Sequence, residues 1–315
     1  MVQTLASTGW IPLAQVSGLL EGESQSAGIL DGLRKLGLPI AVDGDGLRWT
    51  ATADDLCADV IRRELMASGM TCDLATQTLV DSTNSRLQAA AAAGDPGPRV
   101  LLAECQLAGR GRRQRQWQAR FGEAIPMSLL IDAGRPVHEL PGLAIAVGAT
   151  LARTLHAWGV DDVTVKWPND VLLAGAKVAG VLVEAVGALS AARLVVIGVG
   201  VNWALSPASH RAIDQAAASL CPSLPIAMRD RNRVAAGLIA ALLAMIDRFR
   251  AHGLGGFLED FARFDALQGR SVNVHAGGTV TVGYAMGLAP DGSLRIEHAD
   301  GERHYHSADV SVRAT

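Results

Sequence analysis

The spacing of apolar residues changes twice along the chain. At the start it is helical: Leu13, Val16, Leu19 and Leu20, then Ile29, Leu30, Leu33 and Leu36, with Gly37 as a stop. Two short apolar runs, Leu38–Val42 and Leu47–Thr50, flank Asp43–Gly44–Asp45–Gly46, a hairpin signal. Two helices and a hairpin outline a small winged-helix-like unit. A connecting helix is expected over Thr52–Met70. From Cys72 the pattern turns to strand-like runs, Thr78–Val80, Val100–Leu102 and Met127–Ile131, alternating with Ala-rich helical stretches. Gly142–Val160 reads as a buried helix. Val163–Trp167, Lys177–Glu184 and Leu194–Val201 follow with short connections, which predicts antiparallel neighbours. Arg233–His252 is again helical. Beyond Gly269 come short strands between Gly turns, Ser271–His275, Val280–Ala285, Ser293–Glu297 and Glu302–Tyr305, which predict a small SH3-like β-barrel. The class is therefore α+β. The expected domains are a short winged-helix-like unit over 1–62, a mixed-sheet catalytic domain over 63–265, and the barrel over 266–315.

Composition narrows the setting. At 315 residues the chain is long enough for two or three domains. Aromatics are only 4%, so Ala, Val, Leu and Ile must build the core. A net charge of −3 supplies no global field toward nucleic acid or a membrane surface. Cys57, Cys72, Cys105 and Cys221 are scattered, without zinc spacing, which points to a reducing cytoplasm rather than a disulfide framework. No apolar run reaches the length of a spanning helix.

Four segments carry candidate chemistry. Gly109–Arg110–Gly111–Arg112–Arg113, with Arg115 beyond, crowds four guanidiniums into six residues. Such a loop suits an anion, through bidentate guanidinium bonds and glycine N–H groups, although a basic loop can also be merely solvated. Without an anion it is expected to be mobile. In Val165–Lys166–Trp167–Pro168–Asn169–Asp170 a strand ends in a turn; turn Asn and Asp ordinarily cap their own backbone, which leaves Lys166 and the nearby Lys177 unexplained. Lys177 opens an otherwise apolar run, where a lysine either snorkels to the surface or neutralises a buried anion. Gly180 within that run invites a close approach. Asp81–Ser82–Thr83–Asn84 reads first as a helix N-cap and second as a polar cradle. Gly198–Val199–Gly200–Val201–Asn202 ends an apolar strand on its first polar side chain.

These segments, in this order, with Glu104–Cys105–Gln106–Leu107–Ala108 before the arginine loop and Trp117 after it, closely resemble the biotin protein ligases from about residue 77 to the C-terminus. The resemblance implies a catalytic domain like the core of class II aminoacyl-tRNA synthetases. It implies that biotin is activated with ATP to biotinyl-AMP and passed to a lysine of the biotin carboxyl carrier protein of acetyl-CoA carboxylase. Ser82, Thr83, Asn84 and Gln106 would hold the biotin head group, with Gly180 leaving room. Arg110, Gly111 and Arg112 would close over biotin and the adenylate phosphate, and Lys177 would bind carboxylate and α-phosphate. Lys166, Trp167, Asn169, Asp170 and Asn202 would place ATP and magnesium, the metal arriving through the ATP phosphates with Asn202 beside it. Lys177, Arg112 and Asp170 are the candidate catalytic groups, Asp170 as base or as an electrostatic positioner. A homodimer is also implied.

Two features depart from the family. In Phe121–Gly122–Glu123–Ala124–Ile125–Pro126–Met127–Ser128, Ala124 replaces an Asn and Pro126 stands where a strand residue is usual, so one wall of the biotin pocket differs. Some members carry an N-terminal repressor domain. Here residues 1–50 hold three cations, Arg34, Lys35 and Arg48, against five carboxylates, Glu21, Glu23, Asp31, Asp43 and Asp45. Phosphate contacts need cations, so the expectation is that DNA is not bound. The alternatives are a lipoate-type ligase and a non-catalytic biotin-sensing repressor; the arginine loop opposes the first, the intact lysines and Asn202 the second.

Overall fold

The computed structural model describes residues 10–12, 32, 34–43, 46–50, 55–187, 194–276, 279–306 and 310–314. The first expected helix, the start of the second through residue 31, residue 33, and the tip residues 44 and 45 lie outside them; the end of the second is helical at Gly32, Arg34 and Lys35 and turns at Gly37, the expected stop. The hairpin itself is present: β2 (Ile40–Asp43) and β3 (Gly46–Trp49) pair antiparallel from Ile40↔Trp49 to Asp43↔Gly46. A strand not foreseen, β1 (Trp10–Pro12), pairs with the other edge of β3.

The middle of the chain forms a seven-stranded mixed sheet. Its strands are β4 (Asp73–Val80), β5 (Arg99–Gln106), β6 (Ala124–Asp132), β7 (Val163–Lys166), β8 (Asp170–Leu173), β9 (Ala176–Ala185) and β10 (Leu194–Asn202), in the order β4-β5-β6-β10-β9-β8-β7. Only β4 and β5 run parallel, joined by helix α2 (Thr83–Ala92); every other pair is antiparallel. The short connections between β7, β8 and β9 force this, since parallel neighbours need a long crossover.

Helices α1 (Ala58–Ala67), α3 (Leu140–Ala157) and α5 (Arg231–His252) build the main core against one face of the sheet, with the shorter α6 (Leu258–Phe264) beside them; α4 (Pro207–Ala212) lies in the loops after β10. The apolar run that predicts α3 is explained by its burial: twelve of its eighteen residues are buried, including Leu143, Ile145, Val147 and Leu151. Helix α1 puts Ile61 and Leu65 into that same core, so the expected boundary at residue 62 falls within a helix that packs as one piece. Among the described residues no helix is long and apolar enough to cross a membrane.

The C-terminal strands β11 (Ser271–Ala276), β12 (Thr279–Leu288), β13 (Leu294–His298), β14 (Gly301–Tyr305) and β15 (Val310–Ala314) form an antiparallel sheet ordered β14-β13-β12-β11-β15. Four of them match the predicted runs, and β15 is an addition. The inner face, with Val272, Val274, Ala285, Leu294 and Ile296, is continuous with the main core. On β12 the outer face is apolar as well: Val280, Val282, Tyr284 and Met286 are exposed at alternate positions.

The N-terminal hairpin docks on the sheet at a second apolar seam. Leu38 and Cys105 are buried there among Leu36, Ile40, Trp49, Leu79 and Phe121, and Trp49 meets Phe121 edge to face at 5.4 Å. Phe121 N–H donates to Leu36 O at 2.9 Å. Burial and the adjacent Glu104 charge push the Cys105 thiol far up, so this cysteine packs as a small hydrophobe.

Candidate active site

Strand β10 has two faces of different composition. Val195, Ile197, Val199 and Val201 enter the main core, while Val196, Gly198, Gly200 and Asn202 point the other way. Helix α2 covers Val196 through Leu87, together with Leu101 and Leu130. Beyond it the sheet opens into a cavity of about 200 Å3.

One cross-strand row of the sheet forms the floor of this cavity. Register pairs Lys166 with Asp170, Asp170 with Gly180, Gly180 with Gly200, and Gly200 with Pro126. All five line the cavity. Residues directly opposite in antiparallel strands share a face, so residues as far apart in sequence as Pro126 and Gly200 become neighbours. The glycines make room for other side chains. A Cβ on Gly200 would lie 2.3 Å from Trp117, and one on Gly198 would lie 2.3 Å from Asn84 Oδ1. The close approach foreseen at Gly180 is made by Lys177 and Trp117.

At one pole of the cavity is a network of neutral polar groups. Ser82 occupies the N-cap position of α2, but its side chain makes no capping bond and is buried beside the cavity. The first reading of this segment, a side-chain cap, is thereby corrected. Thr83 N–H donates to Gln106 Oε1 at 2.8 Å, which turns the Gln106 amide nitrogen away from the helix. Ser128 Oγ lies 2.7 Å from Thr83 Oγ1 and 2.5 Å from Asn84 Oδ1. Asn84 Nδ2 donates to Glu184 Oε2 at 2.7 Å. The partners on both sides settle which way the Asn84 amide points.

At the other pole are cations. Lys177, only 16% exposed at its side chain, pairs with Asp170 at 2.6 Å and lies 5.6 Å from the Trp117 ring centroid. Lys166 lines the same wall. The arginine loop folds back on itself, with Trp117 N–H donating to Gly109 O at 2.8 Å and Gly111 N–H to Arg115 O at 2.7 Å. Arg113 and Gln114 take left-handed φ values of 55° and 58° at its tip. Arg112 reaches in to Asn169 Oδ1 at 3.3 Å. Burial lowers the Arg112 pKa and neighbouring Arg113 lowers it further, so this cation stands where an anion would relieve it. Arg110 turns to Glu184 at 3.0 Å.

Three sequence candidates are employed structurally. Asn169 donates to Val181 O at 2.8 Å while receiving Arg112, so it positions a cation instead of capping its own turn. Trp167 is 3% exposed and its indole N–H donates to Gly292 O, pinning the β12–β13 turn to the site. Asn202 is buried, lines neither cavity, and donates to Lys177 O at 3.0 Å. A second cavity, of about 490 Å3, shares Lys166, Asp170, Lys177 and Gln215 with the first and continues toward Asp265 and Arg270.

The residues that form this arrangement coincide with a known signature. Residues 77–202 match the Biotin/lipoate A/B protein ligase family, and residues 268–313 match the Biotin protein ligase C terminal domain. The chain is 30% identical over 320 residues to the Bifunctional ligase/repressor BirA of Salmonella typhimurium, a match that spans 96% of this chain and 98% of that protein. This chain belongs to the biotin protein ligase family. The Biotin--[acetyl-CoA-carboxylase] ligase of Mycobacterium tuberculosis is 35% identical over 248 residues, 75% of this chain and 88% of that one. The fold is shared with a biotin protein ligase of Aquifex aeolicus solved with biotin and ATP, at a TM-score of 0.65 and 24% identity over 77% of this chain and 99% of the other.

Within this ligase, sequence reasoning gave no role to Ser128, Gln215 or Glu184, and none to Trp117 beyond the motif. Ser128 carried no signal beyond its place in a strand. Gln215 lies in a loop that clips onto Lys177, with Lys177 N–H donating to Ala216 O and Ala218 N–H to Lys177 O, both at 2.9 Å. Trp117 was legible only as part of the motif. Glu184 was legible as an acid closing an apolar strand, a position that asks for a partner.

Proposed function

We propose that this chain makes biotinyl-AMP from biotin and ATP and then passes the biotinyl group to a lysine of a biotin carboxyl carrier protein. The observation that carries the reading is the two-pole cavity: a hydrogen-bonding cradle at one end, and at the other Lys177 paired with Asp170, Lys166 opposite Asp170 in the sheet, and Arg112 bonded to the adjacent Asn169. Ser82, Thr83, Asn84 and Gln106 suit the ureido head, which both donates and accepts. The biotin carboxylate must approach the α-phosphorus of ATP, and two anions meet only where cations shield both. Lys177, Arg112 and Arg110 supply that shielding. The new C–O–P link forms as the bond to the β-phosphate oxygen breaks and pyrophosphate leaves. The acceptor amine, once deprotonated, then attacks the biotinyl carbonyl and AMP departs. The pairing of Asp170 with Lys177 supports electrostatic positioning as its first role. Asn202 acts on Lys177 through its backbone.

Magnesium fits this reading as a partner of the phosphates. Among the described residues no group of three His, Cys, Asp or Glu side chains could hold a metal by itself, and Mg2+ is usually bound through one or two carboxylates plus substrate phosphates. When bound it would neutralise phosphate charge beside Asp170 and Asn169.

The domain reading keeps three units, with the first boundary drawn ahead of α1 instead of at residue 62, so that the helix stays with the middle unit, and the last unit over 266–315. The three-stranded β1-β3-β2 sheet supports a winged-helix-like first unit, and the five-stranded C-terminal sheet supports an SH3-like last one. A homodimer rests on the family resemblance, and a cytoplasmic site on the free, dispersed cysteines. The test is ATP-dependent transfer of biotin to a purified carrier domain, with lipoate as the competing acid. Biotin-dependent pyrophosphate release followed by a stable adduct is expected. Turnover of lipoate in preference to biotin would overturn the assignment. Lys177→Ala should remove a charge-assisted contact to a buried anion, a loss of roughly 1.5–3 kcal/mol or more, and so nearly abolish pyrophosphate release. A folded variant with wild-type release would show that Lys177 lies outside the chemistry.

A further inference from the structure

Glu184, near the end of β9, lines neither cavity, yet its carboxylate joins both poles of the first one. Its Oε2 accepts from Asn84 Nδ2 at 2.7 Å and from Arg110 Nη2 at 3.0 Å. Asn84 is 4% exposed and stands in the head-group cradle. Its other polar bonds are already fixed: Nδ2 also reaches Leu182 O at 3.5 Å, and Oδ1 faces Ser128 Oγ. Arg110 belongs to the arginine loop, and its Nη2 also reaches Gln88 Oε1 at 3.2 Å. A carboxylate can accept from several donors at once, and bonds to an ionised group are about twice as strong as neutral ones. One group therefore orients a buried amide and fixes one of four crowded guanidiniums.

We propose that Glu184 is a positioning residue for the ligase reaction: its single carboxylate ties the head-group amide of Asn84 to Arg110 of the arginine loop, so that biotin recognition and the loop over the adenylate are set together. This rests on the reading of the cavity as a biotin and adenylate site. Without the carboxylate, Asn84 loses its strongest orienting partner and can rotate its amide against the ureido head. Arg110 in turn loses its anchor at the root of the loop, and the loop holds the adenylate less well. The two effects are separable, because an amide at position 184 keeps an acceptor for Asn84 while removing the charge that holds Arg110.

The experiment compares Glu184→Ala with Glu184→Gln. Biotin-dependent pyrophosphate release gives kcat and the two KM values, and a pre-formed adenylate complex gives the rate of adenylate escape. Glu184→Ala should raise the KM for biotin about tenfold or more, as expected for a lost charge-assisted bond, with kcat and the KM for ATP within about threefold. Glu184→Gln should restore the biotin KM to within about threefold of wild type. It should still release adenylate about fivefold faster or more, and Arg110→Gln should produce the same acceleration without adding to it. A merely structural role would lower the melting temperature and scale all constants together, and that pattern overturns the proposal. So does an unchanged biotin KM in Glu184→Ala. If Glu184→Ala does not fold, the adenylate escape rate of Glu184→Gln decides alone, and a wild-type rate overturns it. Failure of the cavity reading itself would appear elsewhere, as a wild-type protein with no biotin-dependent pyrophosphate release.

Discussion

Gly200 and Trp117 show how little freedom single residues have in this site. The indole covers Gly200 so closely that a Cβ there would sit 2.3 Å from Cε2 and 2.5 Å from Cζ2. The same ring carries the Lys177 ammonium on one side. Gly200→Ala should therefore displace Trp117, and with it the surface on which Lys177 rests. Overpacking of this kind typically costs 1–3 kcal/mol, and the loss is expected mainly in ligand binding because Trp117 faces the cavity. Titration calorimetry should show biotin affinity reduced about tenfold or more, with a small fall in melting temperature. Wild-type affinity would mean that Trp117 moves without consequence for the ligand. The tip of the arginine loop offers a second case. Gln114 holds φ at 58°, a conformation that glycine takes at no steric cost. Gln114→Gly should leave the folded loop unstrained, and the variant should lose neither stability nor pyrophosphate release; a clear loss of either would show that the Gln114 side chain has a task of its own.

The elements themselves were largely legible, and the reason is periodicity. The continuous apolar run over Leu194–Val201 and the long apolar stretch of α3, broken by Arg153 and His156, each point to a structure locally. The site was legible as separate motifs but not as one surface. Nothing in the spacing of Lys166, Asp170, Gly180, Gly200 and Pro126 reveals that they form one row, because β6 and β10 become neighbours across sixty residues of intervening chain. The N-cap at Ser82 misled for a related reason: the residue type fits a cap, and only the tertiary setting turns its side chain to the cavity. Most hidden from sequence was the junction of β5, α5 and the chain entering α1. Arg231 and Glu104 form an ion pair at 2.6 Å with side chains 2% and 5% exposed, and Glu104 Oε1 accepts Leu56 N–H at 2.5 Å. Asn232 receives Cys57 N–H at 2.7 Å and donates to Asp55 O at 3.0 Å. Breaking a buried pair by removing one partner leaves an uncompensated charge, at a cost of about 3–5 kcal/mol. Arg231→Ala should show a loss of that size in denaturant titration, whereas replacing both partners, Arg231→Met with Glu104→Leu, should recover most of it. Equal losses in the single and double variants would mean that packing, not charge, dominates the junction.

At the scale of the whole molecule the open question is what the first unit does. It is no loose appendage, since Leu36, Leu38 and Trp49 pack on Cys105 and Phe121, and Phe121 lies on the segment that returns from Trp117 and the arginine loop. The Salmonella relative is named as both ligase and repressor, and the match to it spans nearly the whole chain. Charge argues against the second role here. Specific DNA binding at physiological salt, with dissociation constants of roughly 10⁻⁸–10⁻¹¹ M, draws much of its strength from cations set against phosphates. Residues 1–50 are net negative, and Arg34, Lys35 and Arg48 must serve against five carboxylates. The next cations along the chain are Arg62 and Arg63 on α1. Arg62 is already engaged with Asp59 and with Leu74 O at 2.7 Å. Dimerisation would double the contacts and the repulsion alike. An anisotropy titration of adenylate-loaded protein on operator-type DNA at moderate salt should therefore show only weak binding, with no preference over scrambled sequence and a shallow dependence on salt. Tight, sequence-dependent binding with a steep salt slope would overturn this, because a slope of that kind counts displaced counterions and would require a cationic surface that the charges of the first unit do not provide.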